Sequence, residues 1–374
     1  MLVFCGRSVL SLFLRACGKS AGSAVFPPAL LVMIMKKLFT VILASSLFLF
    51  SCGNKPSWLS DFDDAMEIAA KSGRNVFVTF TSESDEISSK LDENAFRSEK
   101  FLGKYSKKFV FVNLDFSRRL DAENLAADAS AEQKAAADKI IEETGAAMDV
   151  AERYAVRSLP TTLVLSDEGY VITALNFFDI REDFDPNMNP ESAKIEDVVD
   201  IYDEEQINKT MDEAVAKSDE FDSLLKIAEK GSDDAKIDAI NEIFDNTDFP
   251  YRALLKPLSE RVVALDPKNK SGAVPKHVMS IANADAIAAG QDSEKVCAVF
   301  EAAAENPVLD INDRQLMYYQ AAMSLMSLGG DSGRTKELLK KSLDAAPQSE
   351  SASLISSVIE HLDSALAAEL DSDQ

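Results

Sequence analysis

The apolar positions in the first two thirds of the chain switch repeatedly between a helical period and continuous strand-like runs. Apolar residues at i, i+3, i+4 and i+7 predict an amphipathic helix that begins near Phe62 and ends at Ser72-Gly73. The same period predicts a second helix at 87–96. A composition rich in Ala and Glu predicts a helical stretch at 120–154, and a further helix is expected at 204–217. Because these helices alternate with predicted strands, the pattern indicates α/β layers.

Short runs rich in β-branched and aromatic residues predict buried strands at 76–80, 109–114 and 161–165. The turn residues Asp167-Glu168-Gly169 follow the third run and lead into 170–173, as in a β-hairpin. We therefore expect an α/β domain over 58–217. Within it, the acidic stretch 176–203 predicts a long loop, either mobile or used for binding.

The remaining chain, 218–374, is poor in glycine and has no β-rich run. Three prolines, each forty residues from the next, follow the ends of helical stretches: Pro267, Pro307 and Pro347. The preceding helices are predicted at 236–244, 278–289 and 316–328. Helix pairs at a fixed spacing predict an all-α helical repeat or a bundle of helical hairpins.

The N-terminal segment has the pattern of an export signal. Met35-Lys36-Lys37 is basic and precedes thirteen uncharged residues, Leu38–Phe50, a length typical of a signal peptide and short for a membrane span. Leu49-Phe50-Ser51-Cys52 resembles the bacterial lipobox. The resemblance implies a signal peptide at 35–51 and a lipidated Cys52 as the first residue of the mature chain. An ordinary signal peptide with a chance cysteine is the alternative.

Two further segments flank this signal. We interpret residues 1–34 as translation upstream of a true start at Met35, with a long leader as the alternative. Residues 52–57 are expected to form a short tether ahead of the α/β domain.

Two stretches carry a resemblance to the thioredoxin-like superfamily: 75–81, and 154–165 with its Leu159-Pro160-Thr161-Thr162. Residues 111–119 also resemble bacterial members of the superfamily with a long inserted helix. The resemblance covers 58–217. It implies that Pro160 follows a cis peptide bond and faces the redox motif, beside backbone groups that receive an extended peptide.

The chain departs from the superfamily at that redox motif. Active members carry Cys-x-x-Cys at the start of the helix after the first long strand, where the helix N-terminus lowers the thiol pKa. Here the corresponding residues are Asp85, Glu86, Ile87 and Ser88, and no cysteine lies between residues 53 and 296. Since thiol–disulfide exchange needs a thiolate, we predict no catalytic residue and no cofactor. Asp85 is expected to cap the helix, with ligand contact and new catalysis as the alternatives.

The helical region resembles a tetratricopeptide-like repeat at Tyr318–Ala322, at Leu328-Gly329 and between Leu338 and Pro347. The resemblance implies an array that binds proteins or peptides on a concave face. An irregular helical bundle is the alternative, because the spacing exceeds the usual repeat of about 34 residues.

Charge and the scarcity of histidine and cysteine exclude several classes of function. The net charge is −24, and 34 basic residues face 63 acidic ones once residues 1–51 are left out, so a nucleic-acid partner is not expected. His277 and His361 are the only histidines, so we expect core or surface histidines rather than a metal site or a Ser-His-Asp triad. After Cys52 only Cys297 remains, in an apolar run that predicts a buried thiol without a disulfide partner.

These observations predict an exported protein of the bacterial cell envelope, held at a membrane through lipidated Cys52. The favoured function is binding of envelope proteins or peptides by a redox-inactive thioredoxin-like domain and a tetratricopeptide-like helical domain. The alternative is a thiol–disulfide oxidoreductase of the cell envelope, which the superfamily resemblance alone would imply. The missing cysteines favour binding.

Overall fold

The computed structural model describes residues 57–126, 128–185 and 194–372. The expected upstream extension at 1–34, the signal peptide at 35–51 and Cys52 lie outside the described residues. So does the 52–57 tether, apart from its last residue.

A mixed sheet forms the centre of the first part of the chain. Its strands are β1 Asn75–Thr81, β2 Phe109–Asp115, β3 Thr161–Leu165 and β4 Val171–Leu175. They lie in the order β2-β1-β3-β4, with β1 parallel to β2 and antiparallel to β3, and with β3 antiparallel to β4. The predicted strands and hairpin are confirmed, and their ends differ from prediction by one or two residues.

The helices of this part are α1 Phe62–Ser72, α2 Glu86–Leu91, α3 Glu99–Tyr105, α4 Ser117–Glu123, α5 Ala131–Glu143 and α6 Gly145–Arg153. They cover both faces of the sheet, except for α5, which packs mainly against α4. Side chains alternate across a strand. Val76 and Val78 of β1 therefore pack with residues of α1 and α6, whereas Phe77 packs with residues of α2 and α3. The apolar run that predicted a buried strand thus serves two cores at once.

Two of the predicted helices are divided in the structure. The helix expected over 120–154 is wrong as a single element, because α4, α5 and α6 replace it. Ser130 starts α5 with a capping box, in which its hydroxyl accepts from the backbone N–H of Gln133. The helix expected over 87–96 changes after Leu91 into a π-helical turn, Asp92–Phe96.

The acidic stretch 176–203 contains regular structure on both sides of the undescribed residues 186–193, which corrects the prediction of a plain loop. Strand β5 Phe178–Ile180 pairs antiparallel with β6 Val199–Ile201, which follows the short helix α7 Ile195–Val198. Phe177 anchors the stretch, because its ring is 2% exposed and lies 5.1 Å from the ring of Phe96.

The second part of the chain is helical. Its elements are α8 Glu204–Lys230, α9 Asp233–Asn246, the 3₁₀ helix Phe249–Leu255, α10 Lys256–Leu265, α11 Val274–Ala289, α12 Ser293–Ala304, α13 Ile311–Ser327, α14 Ser332–Ala345 and α15 Ala352–Ser372. The prediction that a helix ends just before each of the three spaced prolines is confirmed. Cys297 on α12 is fully buried, also as predicted.

Helix α8 runs without a break through residues 217 and 218, between which the sequence placed a domain boundary. Its residues Ile207 and Met211 belong to the core beneath the sheet, whereas Phe221 and Leu225 pack with α9 and α10. The α/β part and the helical part therefore share this helix.

Candidate functional site

The residues at the superfamily's cysteine positions lie where β1 ends and α2 begins. Asp85 is the N-cap of α2, and its Oδ2 accepts a hydrogen bond of 2.6 Å from the backbone N–H of Ser88. An oxygen that accepts from one of the first helical N–H groups satisfies a donor that has no partner within the helix. The predicted capping role of Asp85 is confirmed.

The next three residues play different parts. Glu86 is exposed and forms a 3.0 Å ion pair with Lys90, one turn along the helix. Ile87 is buried in the core beneath the sheet. Ser88 is 7% exposed, and its Oγ is buried without a hydrogen-bond partner. A capping carboxylate, an apolar side chain and an unpaired hydroxyl therefore occupy the helix start.

Pro160 lies at the same edge of the sheet. The Leu159–Pro160 peptide bond is cis, the geometry that the resemblance implies, and Pro160 immediately precedes β3. Thr161, the first residue of β3, lies opposite Phe80 near the end of β1. The antiparallel pairing of β1 and β3 thus brings Pro160 to the edge from which residues 82–88 leave the sheet.

A polar pocket of about 570 Å³ opens at the same edge of the sheet, beside the ends of β1 and β2. Its lining residues are all polar or charged: Thr81, Ser82, Glu83, Ser88, Ser89, Asp92, Glu93, Arg97, Ser98, Asn113 and Asp115. Parallel β1 and β2 both end at this edge, which brings Thr81 beside Asp115 in the register of the sheet. The π-helical turn Asp92–Phe96 contributes Asp92 and Glu93 to the pocket.

Hydrogen bonds hold the floor of this pocket in place. The hydroxyls of Thr79 and Thr81 donate to Oδ1 of Asn113 over 2.9 and 2.7 Å. At the start of α4, the backbone N–H and the hydroxyl of Ser117 both donate to Oδ1 of Asp115. The pocket is therefore an ordered set of hydrogen-bonding groups.

The charges of the pocket are mostly negative. Four carboxylates line it, from Glu83, Asp92, Glu93 and Asp115, against the single guanidinium of Arg97. Arg97 donates from Nε to Oδ2 of Asp92 over 2.6 Å, so its charge is already partnered. Chemically, the pocket offers carboxylate and hydroxyl oxygens to a ligand and holds no thiol.

Sequence reasoning singled out Asp85 and Ser88, of which Ser88 lines the pocket, but missed the pocket residues on β2 and on the π-helical turn. Asn113 and Asp115 alternate at the end of a buried apolar strand, and that break in the apolar pattern is the signal that identifies them. Asp92 and Glu93 carry no such signal, because polar residues between the apolar positions of the predicted helix 87–96 are typical of a solvent-facing side.

The other chemically distinctive residues lie in the helical part. His277 is fully buried, whereas His361 is exposed. Burial is the main cause that raises the pKa of the Cys297 thiol. Within the described residues, no group of three or more His, Cys, Asp or Glu side chains is arranged to hold a metal ion.

Comparison with known proteins identifies the class of the first part. Residues 62–176 match the family model of the thioredoxin-like domain. Together with the mixed sheet and its covering helices, this match makes the N-terminal part an α/β thioredoxin-like domain, followed by an all-helical region. Residues 274–367 match a second family, described as an uncharacterised protein C-terminal domain.

Solved structures give a further comparison. One of them, described as DsbH oxidoreductase, is 14% identical, with coverage of 44% of this chain and 86% of that chain and a TM-score of 0.24. No curated protein matches the chain.

None of the helices in the described part of the chain is both long enough and apolar enough to cross a membrane.

Proposed function

We propose that the protein is a lipid-anchored protein of the bacterial cell envelope that binds proteins or peptides and has no redox activity. The observation that carries this proposal is the start of α2. There the carboxylate of Asp85 caps the helix, at a position where an active superfamily member would hold a thiol.

The chemistry of the remaining groups supports a non-redox role. Thiol–disulfide exchange begins with attack by a thiolate on a disulfide sulfur. Beyond Cys52, the only thiol in the sequence belongs to Cys297, which has no exposed surface and a pKa raised mainly by burial. A buried thiol that resists ionisation is a poor nucleophile.

A groove in the helical part supports the binding role. A pocket of about 710 Å³ lies between the first half of α13 and the segment that leads into α15, with Leu316, Tyr319 and Leu354 among its lining residues. Leu316 is 44% exposed and Leu354 is 56% exposed. Apolar side chains left open beside polar ones are typical of surfaces that a polypeptide covers.

The anchor rests on the lipobox resemblance alone, because Cys52 lies outside the described residues. Each buried CH₂ of an acyl chain contributes about 0.8 kcal/mol to membrane binding, so several chains on one residue hold a protein durably.

Reduction of insulin disulfides with a thiol donor tests the absence of redox activity. We expect residues 53–374 to give no turnover above a Cys297→Ser control. The double variant Asp85→Cys with Ser88→Cys is the positive control, because it restores both thiols at the helix start. Turnover by the unaltered protein that Cys297→Ser abolishes would favour the oxidoreductase alternative.

Cell fractionation tests the anchor. Cys52→Ala should abolish acylation and move the protein from the membrane fraction to the soluble envelope fraction, whereas Cys297→Ala should leave it at the membrane. An unchanged membrane fraction for Cys52→Ala would mean that another segment holds the protein.

A further inference from the structure

The first described residues of the chain are held at one edge of the sheet. On the open side of the edge strand β2, Leu59 donates its backbone N–H to the carbonyl of Phe111 and accepts from the N–H of Asn113, each over 2.9 Å. The indole N–H of Trp58 donates to the carbonyl of Phe96 over 3.0 Å, and its ring packs against that of Phe111. The chain therefore enters the α/β part beside β2, at a fixed position.

The reach of the proposed anchor from this position is short. Five residues separate Trp58 from Cys52, and a segment of that length spans at most about 20 Å. An α/β domain of this size is about 40 Å across. A membrane that holds Cys52 therefore lies near the β2 side of the domain, because the tether is too short to pass around to β4, the strand at the opposite edge of the sheet.

Two helices flank this entry point and differ in charge. Helix α1 follows Leu59, and α3 packs with Trp58 in the core beneath the sheet. The cap and the helix of α1 carry four carboxylates and one lysine: Asp61, Asp63, Asp64, Glu67 and Lys71. Helix α3 and its flanking residues carry four exposed cations, three or four residues apart: Arg97, Lys100, Lys104 and Lys107. Within 97–107 only Glu99 is acidic, so the α3 side has the opposite sign to the α1 side.

Carboxylates of neighbouring elements pair with three of these four cations. The pairs are Arg97 with Asp92, Lys100 with Glu204 and Lys104 with Asp212. Lys107 is exposed and forms no ion pair with any residue that the structure describes. Ion pairs between exposed side chains contribute little to stability, so a lipid phosphate can take the place of a carboxylate in such a pair.

We propose that the exposed side of α3 lies against the headgroups of the membrane that holds Cys52, with Lys100 and Lys107 in contact with lipid phosphates. The inference rests on the proposed lipid anchor and adds which surface of the protein meets the bilayer. Anionic headgroups attract the cations of α3 and repel the carboxylates of α1, so the sign of the charge selects α3. The tether keeps α3 at a high local concentration near the headgroups, so a few weak contacts are enough to orient the domain.

Labels at opposite edges of the sheet test the orientation. The acylated protein receives one added cysteine for a bimane label, either Gly103→Cys on α3 or Ala174→Cys on β4. Both positions are exposed, and a Cβ at Gly103 meets no other atom within 4 Å. The protein without an added cysteine is the labelling blank. In vesicles of phosphatidylcholine and phosphatidylglycerol with a spin label on the lipid headgroup, we expect the label at Gly103→Cys to be quenched several times more than the label at Ala174→Cys. Equal quenching, or stronger quenching on β4, would overturn the orientation.

Charge variants test the contact with phosphates. In the Gly103→Cys background, Lys100→Gln with Lys107→Gln should lower the quenching, and added salt should lower it as well, because salt screens the attraction. The control with the same net charge is Lys226→Gln with Lys230→Gln, two exposed lysines of α8, and it should leave the quenching unchanged. Vesicles of phosphatidylcholine alone should give weaker quenching than the anionic vesicles. Equal effects of the two double variants, or no difference between the two kinds of vesicle, would refute recognition of the headgroups by α3.

Cys52→Ala separates failure of this inference from failure of the proposed anchor. Without the acyl chains we expect no quenching at either label, because contacts with α3 alone are too weak to hold the protein at the vesicle. An acylated protein that stays with the vesicles but shows no quenching at Gly103→Cys refutes the orientation and leaves the anchor standing. A protein that is not acylated at Cys52 refutes the anchor and the orientation together.

Discussion

The buried His277 makes the stability of the helical part depend on pH in a specific way. His277 lies on α11 without exposed surface, with Nε2 2.9 Å from Oδ1 of Asn241 on α9 and Nδ1 3.0 Å from Oγ of Ser259 on α10. An amide oxygen only accepts, so Nε2 carries the proton and donates to it, and Nδ1 accepts from the serine hydroxyl. The neutral imidazole therefore satisfies both of its neighbours.

Protonation of this ring is unfavourable in the folded state. The pKa of His277 is lowered from 6.5 to about 4. Burial is the main cause and the nearby charge of Lys276 adds to it, whereas Asp245 acts in the opposite direction. Between these two values the unfolded chain binds a proton that the folded chain does not. The free energy of unfolding contributed by His277 is thus fully present above pH 6.5 and falls as the pH is lowered towards 4.

The size of the effect follows from the two pKa values. A group that titrates at 6.5 when unfolded and at about 4 when folded loses about 2 kcal/mol of stability between about pH 7.5 and about pH 5. That is a large part of the 5–15 kcal/mol that typically holds a protein folded. The loss should appear first in the helices that His277 joins.

Urea unfolding followed by far-ultraviolet circular dichroism at several pH values measures this loss. His277→Gln keeps hydrogen-bonding groups at the site but cannot titrate, so its stability should fall by about 2 kcal/mol less than that of the wild type over the same range. Carboxylates titrate in both proteins, and their contribution cancels in the comparison. His361→Gln, at the exposed histidine, should behave as the wild type. Equal pH dependence of the wild type and His277→Gln would refute the assignment of a buried neutral ring.

Three further expectations concern stability and access. Asp85→Ala should lower the free energy of unfolding by about 1 kcal/mol in urea, and Asp85→Asn should lower it much less, because an amide oxygen also caps a helix. An Ala variant as stable as the wild type would contradict the cap. Phe77→Ala should lower the free energy of unfolding by about 3–5 kcal/mol, measured by the fluorescence of Trp58, whose ring lies 5.8 Å from that of Phe77. The same change at Phe249, which is 77% exposed, should lower it by no more than about 0.5 kcal/mol. Similar losses at both positions would mean that Phe77 is not a core residue. Cys297 should react with a thiol reagent only after urea is added, and rapid labelling of the native protein would contradict its burial.

Local pattern was enough to find most of the elements. The strands of the sheet, the end of α1 and the helix stops before the spaced prolines depend on neighbouring residues, so periodicity and turn chemistry predict them. The cap at Asp85 is also local, because its partner is only three residues away. The helix over 120–154 was predicted as one element because its composition favours helix throughout, whereas the Ser130 capping box begins a new helix within it.

Tertiary structure decided the contacts between distant residues. Only the parallel pairing of β1 and β2 brings Asn113 and Asp115 to the pocket that Ser88 lines. Likewise, β5 finds its partner β6 beyond the undescribed residues 186–193, and His277 finds Asn241 thirty-six residues away. Periodicity along the chain states which face of an element is apolar but not which other element will cover it. The sequence by itself therefore determined most of the elements and the absence of a thiol at the helix start. Strand order and helix packing assembled the acidic pocket and the surroundings of the buried histidine, because both depend on groups that meet only in the folded chain.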